Sequence, residues 1–139
     1  MKSISVNTNR HSVYFLQYHL VVVTKYGYPI LTGNIANRLD EISHSVMEKD
    51  WKCHITETKI YDNYVHVFFE APPQVQPSRL VNNYKTVTSR LIRKEFSEDL
   101  KAWEMENLFW NRSYFICTIS DHSESMIKEY VLSQIENAV

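Results

Sequence analysis

The stretch from Ser12 to Tyr26 constrains the fold more than any other. It reads Ser-Val-Tyr-Phe-Leu-Gln-Tyr-His-Leu-Val-Val-Val-Thr-Lys-Tyr, dense in β-branched and aromatic residues, and predicts one long strand. A half-buried strand alternates apolar and polar residues, whereas Leu20-Val21-Val22-Val23 is apolar without a break. Such a run predicts burial on both faces, hence a central strand with neighbours on each side.

The rest of the chain supplies those neighbours. Gly27 to Gly33, with Pro29, breaks the strand. Asn34 can then cap a helix over about 35 to 49, with Ile35, Leu39, Ile42 and Val46 at helical spacing and His44 among polar neighbours facing solvent. Trp51 to Ile60 predicts a second strand, Asp62-Asn63 a tight turn, and Tyr64 to Glu70 a third strand that stops at Pro72-Pro73. Ser78 can cap a helix over about 79 to 96, with Leu80, Val81, Tyr84, Val87 and Leu91 apolar. Residues 97 to 107 read as an acidic connector with a helical turn. Ser113 to Ile119 predicts the fourth strand, Asp121-His122 a turn, and Ser123 the cap of a last helix with Glu124 in its first turn. The order strand, helix, strand, strand, helix, strand, helix is an α+β, ferredoxin-like split βαβ arrangement. It predicts an antiparallel sheet with helices packed on one face, plus a C-terminal helix.

At 139 residues, 44% hydrophobic and 13% aromatic, the chain reads as one globular domain over 1 to 139. No apolar run approaches the roughly 20 residues that cross a bilayer, and the first residues carry no secretory signal. Cys53 and Cys117 stand singly in strand-like segments, as buried free thiols of a reducing compartment would, so a cytoplasmic protein with no membrane partner is expected. A net charge of -1 gives no global basic signature, so nucleic-acid binding would need a local patch. Lys85, Arg90, Arg93 and Lys94 on the second long helix are such a patch; the bland reading is a solvated face whose cations suit the helix C-terminus.

In the last helix, Tyr130 and Gln134 lie one turn apart on the same side, beside an apolar stripe of Ile127, Val131, Ile135 and Ala138. A tyrosine at the edge of such a stripe is by itself half-buried packing. The company it keeps upstream changes that: His11-Ser12-Val13-Tyr14; Tyr18-His19 through Lys25-Tyr26; Val65-His66-Val67 before Pro72-Pro73; Lys85 with Thr88-Ser89-Arg90; Arg93-Lys94-Glu95-Phe96; Trp110 with Ser113-Tyr114-Phe115; and Ile127 to Tyr130 with Gln134. In this order and spacing the chain resembles the small single-tyrosine HUH transposases. These are the TnpA type of the insertion-sequence two-hundred/six-hundred-five family, which have an RNA-recognition-motif-like fold, and the likeness covers roughly residues 11 to 134.

The resemblance implies that Tyr130 is a nucleophile forming a 5′-phosphotyrosine, in a homodimer that cuts and rejoins single-stranded DNA folded into hairpins. It implies a divalent metal, Mg²⁺ or Mn²⁺, held by two strand histidines two residues apart and by a glutamine. His66 and Gln134 match two of these ligands. The third position holds Tyr64 in place of histidine, and a neutral phenol is a poor ligand, so weak or absent metal binding is expected. Asp62 stands close enough in sequence to substitute. Without the resemblance His66 reads as a hydrogen-bonded strand histidine; His19 lies either near the site or in the core, and the core reading is preferred. Nucleic-acid contacts are expected from Arg10, His11, Lys25, Lys85, Arg90, Arg93 and Lys94. Other departures from the family pattern are Gly27-Tyr28 where relatives carry basic residues, Thr86 for a glycine, and Asp121-His122 for small residues. Two functions follow, a transposase whose cleavage is weakened or lost, or an inactive, domesticated relative that binds DNA or RNA hairpins as a regulator; a blander third, left open by the near-neutral charge, is a structural dimer with no nucleic-acid role.

Overall fold

The computed structural model describes residues 7–8, 13–14, 16–105, 107–118 and 123–136. Its short N-terminal strands β1 (Asn7–Thr8) and β2 (Val13–Tyr14) pair with each other. The main sheet has β3 (Leu16–Val23), β4 (His54–Ile60), β5 (Tyr64–Ala71) and β6 (Phe115–Thr118) in the order β4-β5-β3-β6, with every neighbour antiparallel. The helices are α1 (Gly33–His44), α2 (Pro77–Glu95), α3 (Ser97–Lys101) and α4 (Ser123–Glu136). This is the expected split βαβ order, and β3 is central: Val21 pairs with His66 on one side and Phe115 on the other.

Alternation along β3 and β5 divides the side chains between two layers. Leu20, Val22, Val65, Val67 and Phe69 join Leu39, Ile42, Leu80, Val81 and Tyr84 in the large core under α1 and α2. Val21 and Val23 face the other way and pack with Ile127 and Val131, so α4 covers the opposite face. All four residues from Leu20 to Val23 are fully buried because the sheet is covered on both sides. Two polar pairs are satisfied within the large core: Ser43 Oγ and Tyr84 Oη at 2.7 Å, and Trp110 Nε1–H donating to Thr88 Oγ1 at 2.9 Å.

Several boundaries differ from the sequence expectations, each for a local reason. The first long strand ends at Val23, because Tyr26 and Gly27 take positive φ in a 3₁₀ turn. Helix α1 starts one residue before Asn34, behind an extended Thr32, and past His44 it widens into a π-helical turn over Ser45–Asp50. His44 is partly exposed, within ion-pair distance of Asp40 and Glu48. The second strand begins at His54, not Trp51. Helix α2 starts at Pro77, whose fixed φ suits a first helical position, so Ser78 is not its cap. Cys53 is buried, as expected, whereas Cys117 is half-buried. Ser113 precedes the fourth strand and lies on the loop before it. Arg10, His11, the Asp121-His122 turn and Ala138 lie outside the described residues.

Because Leu20 is walled in by both sheet neighbours and the helical layer, Leu20→Ala should cost about 2–5 kcal/mol of unfolding free energy by urea denaturation. Leu132→Ala, on a side chain 58% exposed, should change it by less than about 0.5 kcal/mol.

Candidate active site and nucleic-acid interface

The α4 face of the sheet carries a row of titratable and aromatic side chains. On β5, Tyr64, His66, Phe68 and Glu70 share this face; on β3, His19 lies diagonal to His66, since it pairs with Phe68. The two imidazoles meet, His19 Nδ1 and His66 Nε2 standing 2.9 Å apart, and both rings pack edge-on against Phe68. One ring donates and the other accepts, which requires at least one neutral imidazole. Burial, the neighbouring imidazole and the Lys59 charge, in that order, push the His66 pKa down to about 4. His19 is lowered as well, by burial first and then by Lys59. Its core placement is as expected, but its contact with His66 was not visible in the sequence.

Tyr130 and Gln134 converge as their spacing suggested, on Ser113, which in the sequence stands out only as part of the Ser113-Tyr114-Phe115 match. Ser113 Oγ donates to Gln134 Oε1 at 2.9 Å and stands 2.7 Å from the Tyr130 hydroxyl, which must then donate to it. Asn111 Nδ2 adds a second hydrogen bond to Gln134 Oε1 at 3.2 Å. Burial raises the Tyr130 pKa, and the Ser113 contact opposes that rise. Phe115 and the Val21, Val23, Ile127 and Val131 cluster support the ring.

The loop that presents Ser113 is fixed from behind by Lys85. Its ammonium donates to the carbonyls of Asn111 at 2.7 Å, Arg112 at 2.8 Å and Ser113 at 3.5 Å, and half-burial lowers its pKa. Asn111 N–H also donates to Val23 O at 2.8 Å, tying the loop to the central strand. Beside it an open cleft of about 380 Å³ is lined by Arg90, Arg93, Arg112, Asn107 and Asn111, among others. Arg90 is exposed, and Arg93 is half-buried with its Nε–H donating to Ser89 Oγ at 3.0 Å. Lys94 is exposed and does not line this cleft. Lys25 lies elsewhere, over the Tyr26 ring. Arg112 is a further cation that the sequence reading did not include, because it stands alone in the chain and joins the others only through the fold.

The three positions of the family's metal set do not form a donor group in this chain. Tyr64 stacks on Tyr61 at 4.4 Å, and burial, then the Tyr61 hydroxyl, pushes its phenol up to about 12, leaving it protonated. The Gln134 oxygen accepts from Ser113 and Asn111, and the His66 Nε2 faces His19. Glu70 is buried, and among the described residues neither carboxylate oxygen has a partner, but four residues along a strand is roughly 13 Å, too far to share an ion with His66. Asp62 is exposed on its turn. Among the described residues no three His, Cys, Asp or Glu side chains gather to hold a metal. The donor chemistry here therefore does not fit the family's divalent ion.

Comparison with known proteins gives concordant matches. The family described as "Transposase IS200 like" matches residues 12–134. The ISDra2 transposase TnpA of Deinococcus radiodurans is 28% identical over 131 residues, spanning 94% of this chain and 92% of its own. A crystal structure of a Deinococcus radiodurans R1 protein classed as a transposase aligns at 28% identity with a TM-score of 0.84, over 92% of this chain and 97% of that one. A REP-associated tyrosine transposase, solved bound to a REP hairpin, shares the fold at 11% identity with a TM-score of 0.51, over 95% of this chain and 76% of that one. No helix among the described residues is long and apolar enough to cross a membrane.

The buried histidine gives this face a pH signature. A group whose folded pKa is depressed takes up a proton more readily when unfolded, so its stabilisation is present above the unfolded value near 6.5 and is lost as pH falls toward about 4. Thermal unfolding followed from pH 7 to 4 should therefore show stability dropping by about 1 kcal/mol per pH unit over that window. In His66→Gln the drop should be visibly shallower.

Proposed function

Since the chain belongs to the IS200-like transposase family, we propose that it acts on single-stranded DNA folded into hairpins, with Tyr130 as the nucleophile. The phenolic oxygen attacks the scissile phosphorus and the bond to the 3′ oxygen breaks. The 5′ phosphate is left esterified to Tyr130, and the phenol's proton ends on the departing 3′ hydroxyl. Rejoining reverses these steps without a nucleotide, because the phosphotyrosine keeps the energy of the cleaved ester. The observation that carries this reading is the seat of the nucleophile: Ser113 holds the Tyr130 hydroxyl and the Gln134 oxygen together on the loop clamped by Lys85. A tyrosine that only filled the apolar stripe would not need its hydroxyl fixed on the same side chain as an amide one turn away.

In this reading strand cleavage is weakened relative to the family. Tyr64 contributes a protonated phenol where a second imidazole is expected, and it is held by Tyr61. Hairpin recognition falls to the cleft of Arg90, Arg93 and Arg112, whose guanidiniums suit phosphate oxygens. Lys25 and the exposed Lys94 add charge outside it, while Lys85 acts by holding the loop. Arg10 and His11 are proposed as further contacts, and the working form as a cytoplasmic homodimer. The relative bound to a REP hairpin supports the choice of ligand. The second reading, a hairpin-binding regulator of DNA or RNA that no longer cuts, is favoured by the same Tyr64 substitution.

Incubation with hairpin-bearing single strands from the protein's own locus and Mn²⁺, followed by a denaturing gel, separates these readings. Slow formation of a protein–DNA adduct that vanishes in Tyr130→Phe is expected, with hairpin affinity unchanged in that variant. Complete absence of adduct from every such substrate would leave only the binding reading. Tyr64→His should raise both Mn²⁺ affinity and adduct yield by about tenfold or more, as restoring one ligand of a set commonly does. Ser113→Ala should lower adduct yield about tenfold at unchanged hairpin affinity, because it removes the group that orients the nucleophile.

A further inference from the structure

Next to the tyrosine site lies a row of three aromatic rings that packing alone does not account for. Ring centroids of Tyr26 and Tyr28 are 5.4 Å apart, and those of Tyr28 and Trp103 are 5.1 Å apart. The middle ring is half-buried against the core, whereas the outer two face solvent, Tyr26 at 51% and Trp103 at 39% exposure. Lys25 places its ammonium 4.9 Å from the Tyr26 centroid. Backbone strain adds to this: Tyr26 has φ 59° and Glu104, next to Trp103, has φ 57°. A non-glycine residue in the left-handed region costs of order 1 kcal/mol or more. For Tyr26 that cost is not offset by burial, and it keeps a large ring on the surface.

We infer that Lys25, Tyr26, Tyr28 and Trp103 form a stacking platform for the unpaired bases of single-stranded nucleic acid. Every base offers a π face whatever its sequence, so the solvent-facing rings of Tyr26 and Trp103, tilted 51° and 40° to Tyr28 between them, each offer a surface to an unpaired base, and the Lys25 ammonium offers a charge to a phosphate. The platform leads into the site through one side chain. Asn111 accepts the Tyr26 backbone N–H at 3.3 Å through Oδ1 and donates to Gln134 through Nδ2 at 3.2 Å. Gly27 closes the gap to α4, since a Cβ there would stand 3.3 Å from Ile135 Cγ1. A strand lying on these rings therefore runs toward Tyr130. The inference rests on the hairpin reading and extends it: the paired stem is held by arginines, and the single strand beside it by aromatic rings.

The test uses the full chain and two DNA probes with the same stem, one blunt and one with an unpaired oligothymidine tail, followed by fluorescence anisotropy at one salt concentration. The tail should tighten binding by wild type. Tyr26→Gly, which suits the positive φ, and Trp103→Ala should each weaken tailed-probe binding about tenfold and leave the blunt probe unchanged. Tyr26→Phe should keep the wild-type gain. A tail that adds nothing to wild-type affinity, or variants that weaken both probes equally, would overturn the platform. Failure of wild type to bind the blunt probe would instead overturn the hairpin reading, and an unstructured oligothymidine strand would then judge the platform alone by the same variants.

Discussion

The structure depends on β3 being paired along both edges and covered on both faces. Its outward carbonyls and amides are taken up by β5 and β6, and its side chains split cleanly between the large core and the α4 layer. A strand in this position cannot tolerate polar residues except where they find partners, since an unpaired buried polar group costs several times a typical net hydrogen bond. His19 meets that demand through His66, and Thr24, at the end of the strand, through the carbonyls of Tyr28 and Asn63.

The α4 layer is thinner than the opposite layer and more polar. Four fully or nearly buried apolar residues form its centre, and Tyr64, Phe115, Tyr130 and Ile135 surround them. Much of what fixes the helix is therefore directional: the hydrogen bonds of Ser113 and Asn111 to its polar edge. Apolar burial alone is non-directional and would let a helix rotate or slide, whereas hydrogen bonds fix which side chain faces the loop. The orientation of Tyr130 thus depends on residues 111 to 113 as much as on the helix that carries it.

Much of the fold was legible because its strongest signals were periodic. The valine run announced a central strand, and the helical spacing of Leu80, Val81 and Tyr84 announced α2; both sit where those patterns place them. Boundaries were less legible. The first strand stops at Val23 because of a positive φ at Tyr26, and nothing in a tyrosine announces that conformation. In the site, i to i+4 spacing gave the Tyr130 and Gln134 pair, but their common partner Ser113 is 17 and 21 residues away in the chain. The diagonal contact of His19 with His66 depends on strand register, which is set by pairing 47 residues apart. Lys85 and Arg90 looked alike on the helix surface. Both line the cleft, and the loop's carbonyls distinguish them, since the Lys85 ammonium is turned to those of Asn111 and Arg112.

That inward ammonium has a thermodynamic consequence. Lys85 braces three successive carbonyls of the segment on which the tyrosine helix rests, and the same segment borders the arginine-lined cleft. Linkage would make the relation reciprocal: a polyanion that competed for this ammonium would relax the brace, and a firm brace would lower that anion's affinity by the same free energy. An anion drawn to this ammonium from the cleft would in this way be coupled to the seat of the tyrosine helix.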